Sequence, residues 1–71
     1  MNWTPDALDR LERAMEEGCR VRLRVRGAEI VLQPREMRHD YGGERIVGRH
    51  LGTGDSIEVP LDDVEAFSVI H

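Results

Sequence analysis

The sequence predicts a mainly β chain: an N-terminal α-helix followed by a five-stranded, strongly bent antiparallel sheet that closes into a small barrel. Three observations predict it. An apolar stripe at helical spacing, Leu8, Leu11 and Met15 with Ala7 and Ala14 beside them, is confined to the start of the chain. From residue 20 the period becomes two, most strictly where Arg20, Arg22, Arg24 and Arg26 alternate with Val21, Leu23 and Val25. Turn residues then break the remainder into short segments, and Gly48 marks a kink inside the middle one.

The helix is expected at about 5–17. Thr4 is placed to cap it, Pro5 suits the first helical position, Asp6 favours the positive end of the dipole, and Gly18 ends it. Trp3 stands at the staple position, to pack on Leu8. Asp6/Arg10 and Asp9/Arg13 form i,i+4 pairs on the wet side. A helix of this length is marginal alone, so its stripe must dock on another element.

Strands are expected at 20–26, 28–34, 44–51, 55–60 and 65–70. A hairpin about Arg26-Gly27 sets Val25 opposite Ala28, Leu23 opposite Ile30 and Val21 opposite Leu32 on one face, with Arg24 opposite Glu29 on the other. Arg-Gly is a poorer tight-turn pair than Asn-Gly, which leaves a bulge or longer loop as the alternative. Pro34 should end the second strand, and residues 35–43 read as a connecting segment that finishes in a Gly-Gly turn. Gly52 to Asp55 forms the next turn, and Pro60 to Val64 a short helical turn before the last strand. In a closed barrel of about 20–70, the first and last strands would pair and the helix would cover an open end.

Seventy-one residues, 39% apolar and 34% charged, describe one globular domain, 1–71, near the size at which a single core barely suffices. A partner or a homo-oligomer is therefore expected. No apolar run approaches the length of a membrane span, and the opening residues have neither a basic region nor an apolar one, so the expectation is a cytoplasmic protein with no membrane partner. The single Cys19 agrees with a reducing compartment, as a small buried residue at the helix–strand junction.

A net charge of −4 argues against indiscriminate polyanion binding, but the charge is unevenly placed. Residues 1–18 carry −3, residues 19–26 carry +4, residues 27–54 balance, and residues 55–71 carry −5. All ten basic residues are Arg, which suits bidentate contact with phosphate or carboxylate. Enzyme motifs are missing. The glycines lack the strand-loop-helix setting and the Lys of a phosphate loop, and His39, His50 and His71 are too far apart along the chain for a local metal site. Only Arg20 flanks Cys19, thin support for a thiol nucleophile paired with His50. The chain is expected to be non-catalytic, with no cofactor and no metal.

The order of elements resembles the WYL domain, an Sm-like SH3-type barrel of bacterial transcription regulators. The stretches that carry the resemblance are Leu11 to Arg22, Glu29 to Pro34, Gly42 to Arg49, and Leu61 to Phe67. Arg45-Ile46-Val47 stands where the family has its name-giving triplet, and Asp63 where it usually has Arg. Leu61 to Phe67 is also similar to the closing stretch of the small inhibitors of the Rho transcription terminator, which share that fold and mask an RNA-binding surface with an acidic one.

Two functional readings follow. In the first, a WYL-like regulatory module binds a nucleotide or a nucleic-acid backbone through Arg20, Arg22 and Arg24, joined by Arg45 and Arg49, with Tyr41 as the one base-stacking candidate. In the second, the basic and acidic faces pair with a protein partner or between copies of the chain. The bland alternative for the Arg row is a solvated or salt-bridged sheet face.

Overall fold

The computed structural model describes residues 1–71 and follows the expected order closely. Helix α1 spans Pro5–Glu17, followed by β1 (Arg20–Val25), β2 (Ala28–Asp40), β3 (Gly43–His50), β4 (Ser56–Pro60), a 3-10 turn (Leu61–Asp63) and β5 (Val64–Ile70). All strand pairs are antiparallel, and the order across the sheet is β4-β3-β2-β1-β5. The expected pairing of first and last strands is present. The expected closure is not: β4 and β5 are the two edges and share no ladder, so the five strands form an open sheet.

Local chemistry sets the helix ends. The Thr4 hydroxyl accepts from the Ala7 amide at 3.1 Å, and Pro5 occupies the first turn, where no intrahelical partner for an N–H exists. At the other end Gly18 adopts φ 71°, which lets the Cys19 amide reach Ala14 O and the Gly18 amide reach Met15 O. This is a Schellman closure, and it hands the chain directly to β1.

The buried residues come from every element. Leu11 and Ala14 of the helix meet Val21, Leu23, Leu32, Ile46, Val59, Leu61 and Val64, with Leu8 and Met15 packed at the margin. Trp3 takes a larger part than a staple. Its Nε1–H donates to Leu61 O at 2.9 Å, and its ring lies 5.4 Å from that of Phe67, tying the start of the chain to the turn that precedes β5. The Met1 ammonium adds a bond to Val64 O at 3.0 Å.

The β1–β2 register is the expected one in every pair, Val21 with Leu32 through Val25 with Ala28. The turn has two residues, Arg26 at φ 52° and Gly27 at φ 78°. A left-handed Arg costs roughly 1–2 kcal/mol. Two contacts with the far end of the chain hold it: the Gly27 amide donates to Glu65 Oε1 at 2.6 Å, and Arg26 pairs with Asp63 at 3.5 Å.

β2 corrects the expectation of a strand ending at Pro34 and a connecting segment at 35–43. The strand runs through Pro34 to Asp40, and Glu36 to Asp40 pair with Gly43 to Val47. A register shift between Pro34 and Glu36 makes this feasible, because it leaves Arg35 unpaired and re-phases the ladder just where proline supplies no N–H. Gly48, opposite Pro34, is the other half of the device. A Cβ there would collide with the Gln33 carbonyl oxygen and lie 3.0 Å from Pro34 Cα. Close backbone approach, and not an unusual φ, demands glycine.

Gly48→Ala is therefore expected to lower stability by about 1–3 kcal/mol, the usual range for forcing extra volume into a packed site. For a chain of this size that amounts to roughly 4–8 °C of melting temperature per kcal/mol, readable by circular dichroism. An unchanged melting temperature would show that the two strands can separate at this point without loss.

Candidate anion-binding face

β1 separates its side chains cleanly. Val21 and Leu23 are fully buried, while Arg20, Arg22 and Arg24 are exposed on the opposite face. Because β1 is an interior strand of the sheet, each Arg has a neighbour on both sides. Arg22 lies between Val31 and Ser68, and Arg24 between Glu29 and Ala66. Arg20 faces Ile70 of β5, and continuing the β1–β2 register by one residue sets it beside Gln33. Gln33 in turn pairs with Arg49 of β3. Arg20 and Arg49 thus flank one glutamine in a single row across the sheet, about 10 Å apart along the hydrogen-bonding direction.

The cations divide by whether an acid already holds them. Arg22 is paired with Glu29 at 2.6 Å, a diagonal contact and not the directly opposite Arg24–Glu29 pair. Arg20, Arg24 and Arg49 have no acidic oxygen within 4.0 Å. The Gln33 amide group is turned toward the helix end, donating to Gly18 O and Cys19 O at 3.2 and 3.3 Å, so it leaves the Arg20–Arg49 row unobstructed by any acid. Beside the row, Arg22, Arg24, Glu29, Ala66, Phe67 and Ser68 line a shallow depression of about 310 Å³.

Arg45 and Tyr41 do not join this group. Arg45 belongs to a separate ion cluster beyond the register shift, with Asp40 at 3.7 Å and Glu58 at 4.0 Å, and its side chain is only 33% exposed. Its Nε is buried without a hydrogen bond, so the guanidinium is held by charge and packing. Arg38 completes the cluster, contacting Glu36 at 3.1 Å and Glu58 at 2.9 Å. The hydrogen bond to Glu36, with the charges of Glu36 and Glu58, raises the Arg38 pKa above its ordinary value. Tyr41 is fully exposed at the tip of the β2–β3 hairpin, about 20 Å along β3 from Arg49.

Sequence reasoning missed two residues of this face and the role of a third on the opposite, helix-covered side. Gln33 and Ser68 enter only through cross-strand register. Arg10, expected to pair with Asp6, instead places its guanidinium carbon 5.4 Å from the centre of the Phe67 ring. The companion helix pair does form, Arg13 to Asp9 at 3.2 Å. His50 serves the fold, because its Nδ1 accepts from the amides of Gly52 and Thr53 at 3.0 and 3.3 Å and so shapes the β3–β4 turn. Cys19 lines depressions beside α1 and β5, and none of them includes His50.

No protein-family model, curated protein or solved structure matches the chain. No helix is long and apolar enough to cross a membrane.

If Arg20, Arg24 and Arg49 are surface groups without a structural partner, Arg20→Gln, Arg24→Gln and Arg49→Gln should each move stability by no more than about 0.5 kcal/mol. Urea unfolding measures this. A loss well beyond that value in any of the three would assign that arginine to the fold and remove it from the face.

Proposed function

We propose that the chain is a small non-catalytic regulatory module, WYL-like in fold, that binds a nucleic-acid backbone or a nucleotide phosphate through the outer face of β1 and β3. The observation that carries this reading is the presence of three arginines, Arg20, Arg24 and Arg49, on one sheet face with no acid in contact, in a chain whose net charge is −4. In an acidic protein, cations are usually absorbed by neighbouring carboxylates. These are left in water on one face, Arg20 and Arg49 about 10 Å apart across the sheet and Arg24 about 13 Å from Arg20 along β1.

Several features support the barrel reading that goes with it. A straight 13-residue strand would extend about 40 Å, whereas the longest dimension of the molecule is 26 Å. A β2 of this length therefore favours a sheet bent at the Pro34–Gly48 contact. The order β4-β3-β2-β1-β5, with a leading helix and a 3-10 turn between the last two strands, fits an SH3-type arrangement open between its edges. The depression beside Arg24 and Ser68, near 300 Å³, is at the small end of ligand sites. With Tyr41 remote from the row, base recognition by stacking has no support.

The homo-oligomeric alternative, with the basic strand of one copy against the acidic C-terminal segment of another, is less favoured. Asp63 and Glu65 hold the Arg26-Gly27 turn, and Glu58 holds Arg38 and Arg45, all within one chain.

Anisotropy of a fluorescein-labelled single-stranded oligonucleotide tests the proposal. Three phosphate contacts give a slope of log K against log salt of about −2, hence roughly fifteen-fold weaker binding at 200 mM than at 50 mM salt. The triple Arg20→Gln/Arg24→Gln/Arg49→Gln variant should lose binding, and competition by a mononucleotide separates the nucleotide form of the reading from the backbone form. Salt-independent binding, or a triple variant that binds as the native chain does, would overturn it.

A further inference from the structure

The edge of β5 is unguarded. β5 pairs only with β1, and outside that ladder no hydrogen bond reaches the backbone of residues 65–70. Exposed edges are ordinarily blunted by charge, proline or a covering element. The opposite edge conforms, since β4 carries Glu58 and ends at Pro60. Ala66, Phe67, Ser68, Val69 and Ile70 instead form the longest stretch of this chain free of both charge and proline.

Each flank of that edge offers one arginine without an acidic partner, Arg10 on one side and Arg24 on the other. On the helix side, Arg10 lies over Phe67 with no acid within 4.0 Å, at the rim of a trough of about 400 Å³ that Glu17, Val69 and His71 also line and where Arg13 is already paired with Asp9. On the outer side, Ala66 and Ser68 are the residues between β1 and the open edge, and their small side chains leave the depression through which Arg24 and Arg22 face outward. A strand added to β5 would send alternate side chains to these two flanks.

We propose that the free edge of β5 accepts, as a sixth strand, an extended acidic segment of a partner protein. Main-chain bonds to residues 65–70 supply the attachment. Carboxylates on one side of the added strand reach Arg24 across Ala66, and those on the other reach Arg10 beside the Phe67 ring. Charge selects this occupant over a second copy of the chain, because pairing β5 with itself would bring two sets of Arg10, Arg20 and Arg24 together. Arg24 is shared with the phosphate-binding row, but the β5 main chain and Arg10 are not, so each proposal can fail without the other.

The test titrates the uniformly ¹⁵N-labelled full chain with the peptide acetyl-Thr-Glu-Val-Glu-Val-Glu-Thr-amide, and with the same peptide carrying Lys for Glu. The acidic peptide should give saturable shifts of the amides of residues 66–70 and slow hydrogen exchange at those β5 amides that do not face β1. Arg10→Glu should weaken binding at least about fivefold, and Arg10→Gln, a milder change whose spectrum also reports the fold, should weaken it less. Absence of β5 shifts at millimolar peptide, equal binding of the Lys peptide, or an unaltered affinity in Arg10→Glu would overturn the proposal. So would a mass that grows with protein concentration while β5 amides are protected without peptide, which would give the edge to a second copy.

Discussion

The close passage of β3 over β2 at Gly48 and Pro34 is the constraint on which the rest of the sheet depends. β2 is the only strand that serves both halves of the molecule, pairing with β1 through residues 28–32 and with β3 through residues 32–40. Its two segments must present apolar groups to the same core although a register shift lies between them. On either side of the shift Leu32 and Met37 still face inward, which requires the odd unpaired residue, Arg35, to be absorbed where the ladder would otherwise lose a bond to proline. Proline removes the donor, the shift removes the need for it, and glycine gives the backbones room to approach.

The second organising feature is the way the start of the chain closes on its end. A 71-residue chain has few positions for a core, and here only thirteen residues are buried, so contacts between distant segments count heavily. Trp3 binds Leu61 O, stacks obliquely on Phe67, and Phe67 in turn carries Arg10. The 3-10 turn between β4 and β5 is thereby held from one side by Trp3 and from the other by Arg26 through Asp63. Glu65, one residue into β5, reaches the β1–β2 turn. The acidic C-terminal segment thus has a structural use: its carboxylates stabilise a hairpin turn that places a non-glycine residue at positive φ.

Local pattern made much of this legible. Thr4, Pro5 and Gly18 marked the helix to the residue because caps act through neighbours in sequence, and strict alternation from Arg20 fixed a hairpin register in which a slip of one residue would have buried the three arginines of β1. The long β2 was not legible, since proline at position 34 is a strand terminator unless its partner is a glycine, and that partner lies fourteen residues away. The fate of each Arg was also hidden. Arg22 chose the diagonal acid, Arg45 an acid across the β2–β3 hairpin and another in β4, and Arg10 an aromatic ring from the far end of the chain. Each choice depends on strand neighbours that only the full topology supplies.

The distribution of those choices bears on why an acidic chain keeps a basic face. Glu36, Asp40, Glu58, Asp63 and Glu65 are all engaged by cations or amides at the hairpin ends or beyond the register shift, which leaves Glu29 as the sole acid contacting the β1 row. Exposed ion pairs contribute little stability, about 0–1 kcal/mol, so folding exerts only weak pressure to pair the remaining arginines. The same weakness means that leaving Arg20, Arg24 and Arg49 unpaired costs the fold little while their mutual repulsion stays screened by solvent. A second carboxylate could have been accommodated at Val31 or Gln33, both on the outer face between β1 and β3, without touching the core. Those positions instead hold an aliphatic residue and an amide that is turned away to bind the helix end. The face is open because its central strand, β2, offers it Glu29 alone, and it is this local composition, and not the overall charge of the chain, that decides what the surface can attract.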